Sequence, residues 1–143
     1  MPKMIFVNLP VVELDRATAF YEALGATRSP RFCDATAACM VFSKSIHVML
    51  LTHARFQDFT PKKIADARAV SEVLLCISAE SRADVDEMVA RACAAGGAGD
   101  PCPLQEHGFM YGRSVEDPDG HVWEIMWMDP DAATAGDPAT AAA

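Results

Sequence analysis

The residue best placed to do chemistry in this chain is Glu124. Along HVWEIMWM it alternates with Val122, Met126 and Met128, while His121, Trp123, Ile125 and Trp127 take the other side, so a carboxylate stands in an otherwise apolar row. A glutamate in that setting serves as a metal ligand, a general base or a polar anchor for a substrate; the plainer alternative is a carboxylate neutralised by Arg113. Asn8 and Arg113 can both hydrogen-bond an oxygen-rich ligand, the guanidinium in bidentate fashion. Tyr111 and His107 belong to HGFMYGR, where Gly108 and Gly112 permit a close backbone approach or a bulge. Surface positions are the favoured reading for His107, His53 and His121. Met40, Met49, Met110, Met126 and Met128 fit either an adaptable apolar cleft or ordinary core filling. The five cysteines are odd in number and contain no CxxC, which points to reduced packing residues. GxSxG, Walker A, GxGxxG and HExxH are absent from the sequence, so no nucleotide cofactor is expected.

These side chains need elements to hold them. Residues 4–12 alternate as a strand, with Ile5, Val7, Leu9 and Val11 on one face and Phe6, Asn8 and Pro10 on the other. Asp15 reads as the cap of a helix through Leu24, closed by Gly25. Strand candidates follow at 28–33, 36–43 and 46–52, too closely spaced for helices between them, so they should pair antiparallel. Residues 53–71 are more polar, with Thr60-Pro61 positioned to begin a short helix; this segment reads as a connector that can also act as a lid. The pattern then restarts. Residues 72–78 alternate, Ser81 caps a helix to about Ala95, and strands at 98–105, 109–115 and 121–128 follow, the last two joined by an Asp117-Pro118-Asp119-Gly120 turn. A shift of 66 positions superposes Leu9 on Leu75, Val11 on Ile77 and Arg16-Ala17 on Arg82-Ala83, a fixed offset that marks a repeat.

Composition sets the limits. The chain has 143 residues, 51% of them hydrophobic, enough for one domain that buries about two-thirds of its unfolded surface. The expected layout is a single domain over residues 1–130, built from repeats 4–52 and 72–128, followed by a disordered tail at 131–143. A formal charge of −8 opposes phosphate neutralisation, so nucleic acid is not an expected partner. No membrane span or secretory leader is read, and the expected location is cytoplasmic.

Two segments carry a family resemblance: Val11-Val12-Glu13-Leu14-Asp15-Arg16-Ala17-Thr18-Ala19-Phe20-Tyr21 and Asp117-Pro118-Asp119-Gly120-His121-Val122-Trp123-Glu124-Ile125. They resemble the V-x-D-L-x-R-(A/S)-x-x-FY and DP-x-G-x-x-x-E-L segments of the vicinal oxygen chelate superfamily, which includes glyoxalases, bleomycin-resistance proteins and extradiol dioxygenases, and in particular small bacterial lactoylglutathione lyase-like proteins. The resemblance implies an α+β fold of two βαβββ modules forming open sheets around a cleft, a small-molecule ligand and a homodimer. It also implies four cleft positions for a divalent metal such as Zn, Ni, Fe or Mn, which fall on Phe6, Glu72, Glu124 and Leu50. Phe6 and Leu50 cannot ligate, so the implied metal site is degraded. A one-residue shift of the fourth strand brings His47, Met49 and His53 to the cleft instead, and His47 with Glu72 and Glu124 then makes a facial metal site. The expected catalytic residue is Glu124, and the expected substrate contacts are Phe6, Asn8, Leu50, Tyr111, Arg113 and Met126. A metal-dependent lyase or isomerase, a dioxygenase-like enzyme and a metal-free sequestering protein all remain open.

Overall fold

The computed structural model describes residues 2–134. The first module runs β1 (Ile5–Val11), α1 (Leu14–Leu24), β2 (Thr27–Ser29), β3 (Ala37–Val41) and β4 (Ile46–Thr52). After a short helix α2 (His53–Gln57), the second module runs β5 (Leu75–Ser78), α3 (Arg82–Ala94), β6 (Ala98–Gly99), β7 (Gln105–Glu106), β8 (Met110–Glu116) and β9 (Val122–Met128), and α4 (Pro130–Thr134) ends the described chain. Each module makes its own sheet, in the orders β1-β4-β3-β2 and β5-β9-β8-β6, with β7 pairing β8. The first and last strands of each module pair in parallel, β1 with β4 and β5 with β9, and the remaining pairs are antiparallel. The two halves therefore share one topology, and the sheets stay open.

Local chemistry explains the elements. Gly25 adopts φ 119° and its N–H bonds the Glu22 and Tyr21 carbonyls, a left-handed closure that favours glycine. Ser81 caps α3, its hydroxyl accepting from the Asp84 N–H at 3.0 Å. The start of α1 differs from expectation: Glu13 occupies the cap position with no side-chain cap bond, and Asp15 lies inside the first turn, where its charge favours the helix dipole. The strand expected at 98–105 is split into β6 and β7, because Asp100 takes positive φ and Pro101 and Pro103 withhold the N–H groups that a ladder needs. Residues 130–134 are helical rather than disordered, and 135–143 lie outside the described residues.

One core joins the modules. Val11, Phe20, Tyr21, Leu24, Met40, Val48 and Leu50 of the first module pack with Val85, Val89, Val115, Trp123 and Ile125 of the second. The helices α1 and α3 also meet each other. Both sheets thus bury the face that carries their helix, and the opposite faces are left for other work. The connector is docked, with its helix at 53–57 rather than at Thr60-Pro61. Thr52 caps that helix, accepting from the Arg55 N–H at 3.3 Å. Arg68 donates to the Pro118 carbonyl, and a Cβ at Gly120 would stand 2.8 Å from the Arg68 nitrogen and 2.9 Å from the Ala67 carbonyl carbon. Only glycine lets the chain cross there.

Candidate ligand groove

The helix-free face of the first sheet is set by the β1–β4 register. Phe6 opposes His47, Asn8 opposes Met49 and Pro10 opposes Leu51, whereas Leu9 opposes Leu50 on the core side. Leu50 is 0% exposed among core residues, so it does not reach a ligand on the open face; the third residue of the strand there is Leu51. This is the register in which His47 and Met49 face outward, while His53 begins α2 and is exposed. The Phe6 ring, 52% exposed, stacks on the His47 imidazole at 4.6 Å and 17°. The Nδ1 atom of that imidazole is buried without a hydrogen-bond partner.

On the second sheet Glu124 lies beside Cys76 of β5 and Ser114 of β8, and Met126 lies beside Ser78 and Gly112. Burial and the neighbouring Glu124 charge push the Cys76 thiol pKa up. Alternation puts Arg113 and Tyr111 on the other face, against α3. The Arg113 guanidinium grips both carboxylate oxygens of Asp100, at 3.0 and 2.7 Å, and reaches Asp86 at 3.0 Å. The Tyr111 hydroxyl donates to the same Asp86 at 2.7 Å. The Tyr111 hydroxyl, and after it the guanidinium, hold Asp86 below its ordinary pKa, and the guanidinium does the same for Asp100. Arg113 is therefore not the counter-ion of Glu124, and it and Tyr111 are engaged in fastening β8 to α3.

A groove of 490 Å³ opens between the modules. Asn8 and Pro10 reach it from the helix-free face of the first sheet and Val122 from that of the second, with Leu75 at the start of β5. The connector closes the far side with Phe56, Ile64 and Val70, and Lys62, Lys63 and Glu72 add charge. Glu72 precedes β5 and is exposed. Glu72 is among the groove's lining residues, whereas Glu124, Met126, His47 and Phe6 are not. No group of three or more His, Cys, Asp or Glu side chains stands close enough to hold a metal ion among the described residues. Phe6 cannot ligate, Leu50 lies in the core, and no such cluster joins His47 to Glu72 and Glu124, so these residues do not fit a resident divalent metal.

The two motif segments meet in a clamp. Tyr21, fully buried, donates to Asp117 Oδ2 at 2.6 Å and accepts from the Trp123 indole N–H at 2.9 Å. Asp117 Oδ1 accepts from the Asp119 and His121 N–H groups at 2.9 and 2.8 Å. Asp119 accepts from Val12 N–H at 2.9 Å, and a His121 ring nitrogen lies 2.8 Å from the Pro10 carbonyl. Burial raises the Asp117 carboxyl pKa, and burial beside Asp117 raises that of Tyr21 well above the ordinary phenol value. Residues 3–125 match the family described as the glyoxalase/bleomycin resistance protein/dioxygenase superfamily.

The chain belongs to this superfamily.

Solved structures share the glyoxalase-type fold. A hypothetical protein, SA1046 from S. aureus, superposes with TM-score 0.74 at 24% identity, over 89% of this chain and 95% of that one. A glyoxalase-related enzyme from Fulvimarina pelagi gives 0.73 at 20% identity, over 89% and 88%. The fosfomycin resistance protein FosX from Mesorhizobium loti gives 0.66 at 16% identity, over 94% and 99%. No curated protein matches the chain. In this glyoxalase-superfamily member Tyr21 and Asp117 serve the fold, tying α1 to the last hairpin. The groove residues Phe56, Lys62, Lys63, Ile64 and Val70 were missed by sequence reasoning, because the connector lacks a periodic pattern; its only signal was an apolar residue recurring within a polar stretch.

Proposed function

We propose that this protein binds a small, largely apolar molecule in the groove between its modules, as a sequestering member of the superfamily rather than a metal-dependent lyase. The supporting observation is the chemistry of the walls. A 490 Å³ space falls within the range of small-molecule sites, and most of its lining is aliphatic or aromatic with a few polar groups at the edge. Asn8 is the polar contact that orients the ligand from β1. The protein acts inside the cell and as a homodimer: the β1 edge exposes Met4, Ile5 and Phe6, and the approach to β5 exposes Val73 and Leu74, two free strand edges that a second copy would cover. No helix among the described residues is long and apolar enough to cross a membrane.

A second reading, a metal-assisted lyase, isomerase or dioxygenase-like enzyme, is favoured by Glu124, which forms no ion pair with another described residue and lies on an open face beside Cys76 and Ser114. The two readings separate in one experiment. Untagged protein is assayed for bound metal and then, with Zn, Ni, Mn or Fe added, for turnover of the hemithioacetal of methylglyoxal and glutathione. Sequestration expects saturable ligand binding that is indifferent to a chelator and no turnover. Metal-dependent turnover abolished by Glu124→Gln would replace that reading with the lyase. A monomer by sedimentation at tens of micromolar would contradict the dimer.

A further inference from the structure

The groove also carries a charge pattern that narrows its ligand. We infer that its occupant is an apolar body bearing a single anionic group, carboxylate- or phosphate-like, which is held by Lys62 and Lys63. This rests on the ligand-binding reading of the groove.

The chain has 20 acidic and 12 basic residues, so carboxylates outnumber the cations. Five of the twelve, Arg16, Arg55, Arg82, Arg91 and Arg113, do meet them. Lys62 and Lys63 make no ion pair with another described residue, although both line the groove. Their backbone is fixed in place. The Gln57 amide donates to the carbonyls of Thr60 and Lys62 at 3.1 and 2.8 Å, and the Lys62 N–H bonds the Thr60 hydroxyl at 3.2 Å. Phe56, on the helix that carries Gln57, is also among the groove's lining residues, so one local structure contributes an apolar side chain and both lysines to it.

The groove's lining also includes Val73, Leu75 and Val122, which offer a charged ligand nothing, and Glu72. Two lysines against one glutamate leave one surplus positive charge, which matches a monoanion and rejects a cation. An acidic protein repels anions at long range, so the preference must come from these two lysines and must weaken with salt.

The test uses two probes with one hydrocarbon body: 8-anilinonaphthalene-1-sulfonate, which is anionic, and N-phenyl-1-naphthylamine, which lacks the sulfonate. Binding is followed by fluorescence on the whole chain, with Asn8→Trp as a groove-filling control. The expected result is that the sulfonate binds about fivefold more tightly than the amine, and that the double variant Lys62→Glu, Lys63→Glu weakens the sulfonate about tenfold while the amine changes less than about twofold. Raising salt from about 0.05 to about 0.5 M should weaken the sulfonate alone. Equal affinities, or equal losses for both probes in the double variant, would overturn the inference and leave the groove reading intact. If Asn8→Trp displaces neither probe, the groove reading itself fails and the inference falls with it.

Discussion

Replacing Tyr21 by Phe removes one oxygen and leaves the ring, so it isolates the clamp between the modules. The hydroxyl is the partner of two buried groups, Asp117 Oδ2 at 2.6 Å and the Trp123 indole N–H at 2.9 Å. A buried polar group left without its partner costs about 1–3 kcal/mol, more when the partner is ionised, so two such groups amount to about 2–5 kcal/mol. In a domain of this length that lowers Tm by roughly 2–4 °C per kcal/mol, about 4–20 °C in all. The loss also depends on pH, with a sign that the structure dictates. Burial raises the Asp117 carboxyl pKa while the Tyr21 hydroxyl opposes the rise by stabilising the carboxylate. A carboxyl raised in the folded state contributes stability below its unfolded pKa and loses it as pH rises through the folded value. Without the hydroxyl the folded pKa rises further, so the variant's deficit is smaller near pH 4 than near pH 8. Urea unfolding of both proteins at the two pH values, followed by Trp fluorescence, measures this directly. A deficit below about 1 kcal/mol, or one that is larger in acid, would refute the account of the clamp.

Leu50→Ala should cost about 2–5 kcal/mol by urea unfolding, because it empties a fully buried site, and yet leave probe affinity in the groove unchanged; a selective loss of binding would put Leu50 back on the open face. Gly120→Ala forces a Cβ to within 2.8 Å of the connector backbone at φ 96°, and should lower stability by about 1–3 kcal/mol and expose residues 60–71 to protease; an unchanged digestion pattern would mean that the connector is not seated there. The Arg82 guanidinium holds the Glu106 carboxyl down at about 2 from its ordinary 4.5, so this pair adds stability above pH 4.5 that fades as pH falls toward 2. Glu106→Gln should flatten that part of the pH–stability curve, and high salt should shrink the difference; a slope identical to that of the parent chain would argue against the pair.

Much of the fold was written locally. The alternation in β1, the Ser81 cap, Gly25 after α1 and the Asp117–Gly120 turn each follow from side-chain chemistry within a few residues. The offset that aligns Leu9 with Leu75 announced the duplication, and the two motif segments announced the family that residues 3–125 match. Tertiary structure decided which side chains meet. In β4 the run Val48, Met49, Leu50, Leu51 is apolar on both faces, so no alternation fixes its phase, and pairing with β1 is what buries Leu50 and turns His47 and Met49 outward. Arg113 lies one residue from Ser114, the cross-strand neighbour of Glu124, yet points the other way, because a strand alternates its faces and α3 offers it Asp86. The groove belongs to neither module. Its walls come from β1, the connector and the start of β5, segments far apart in the chain, and such a surface exists only once the shared core has drawn the two sheets together.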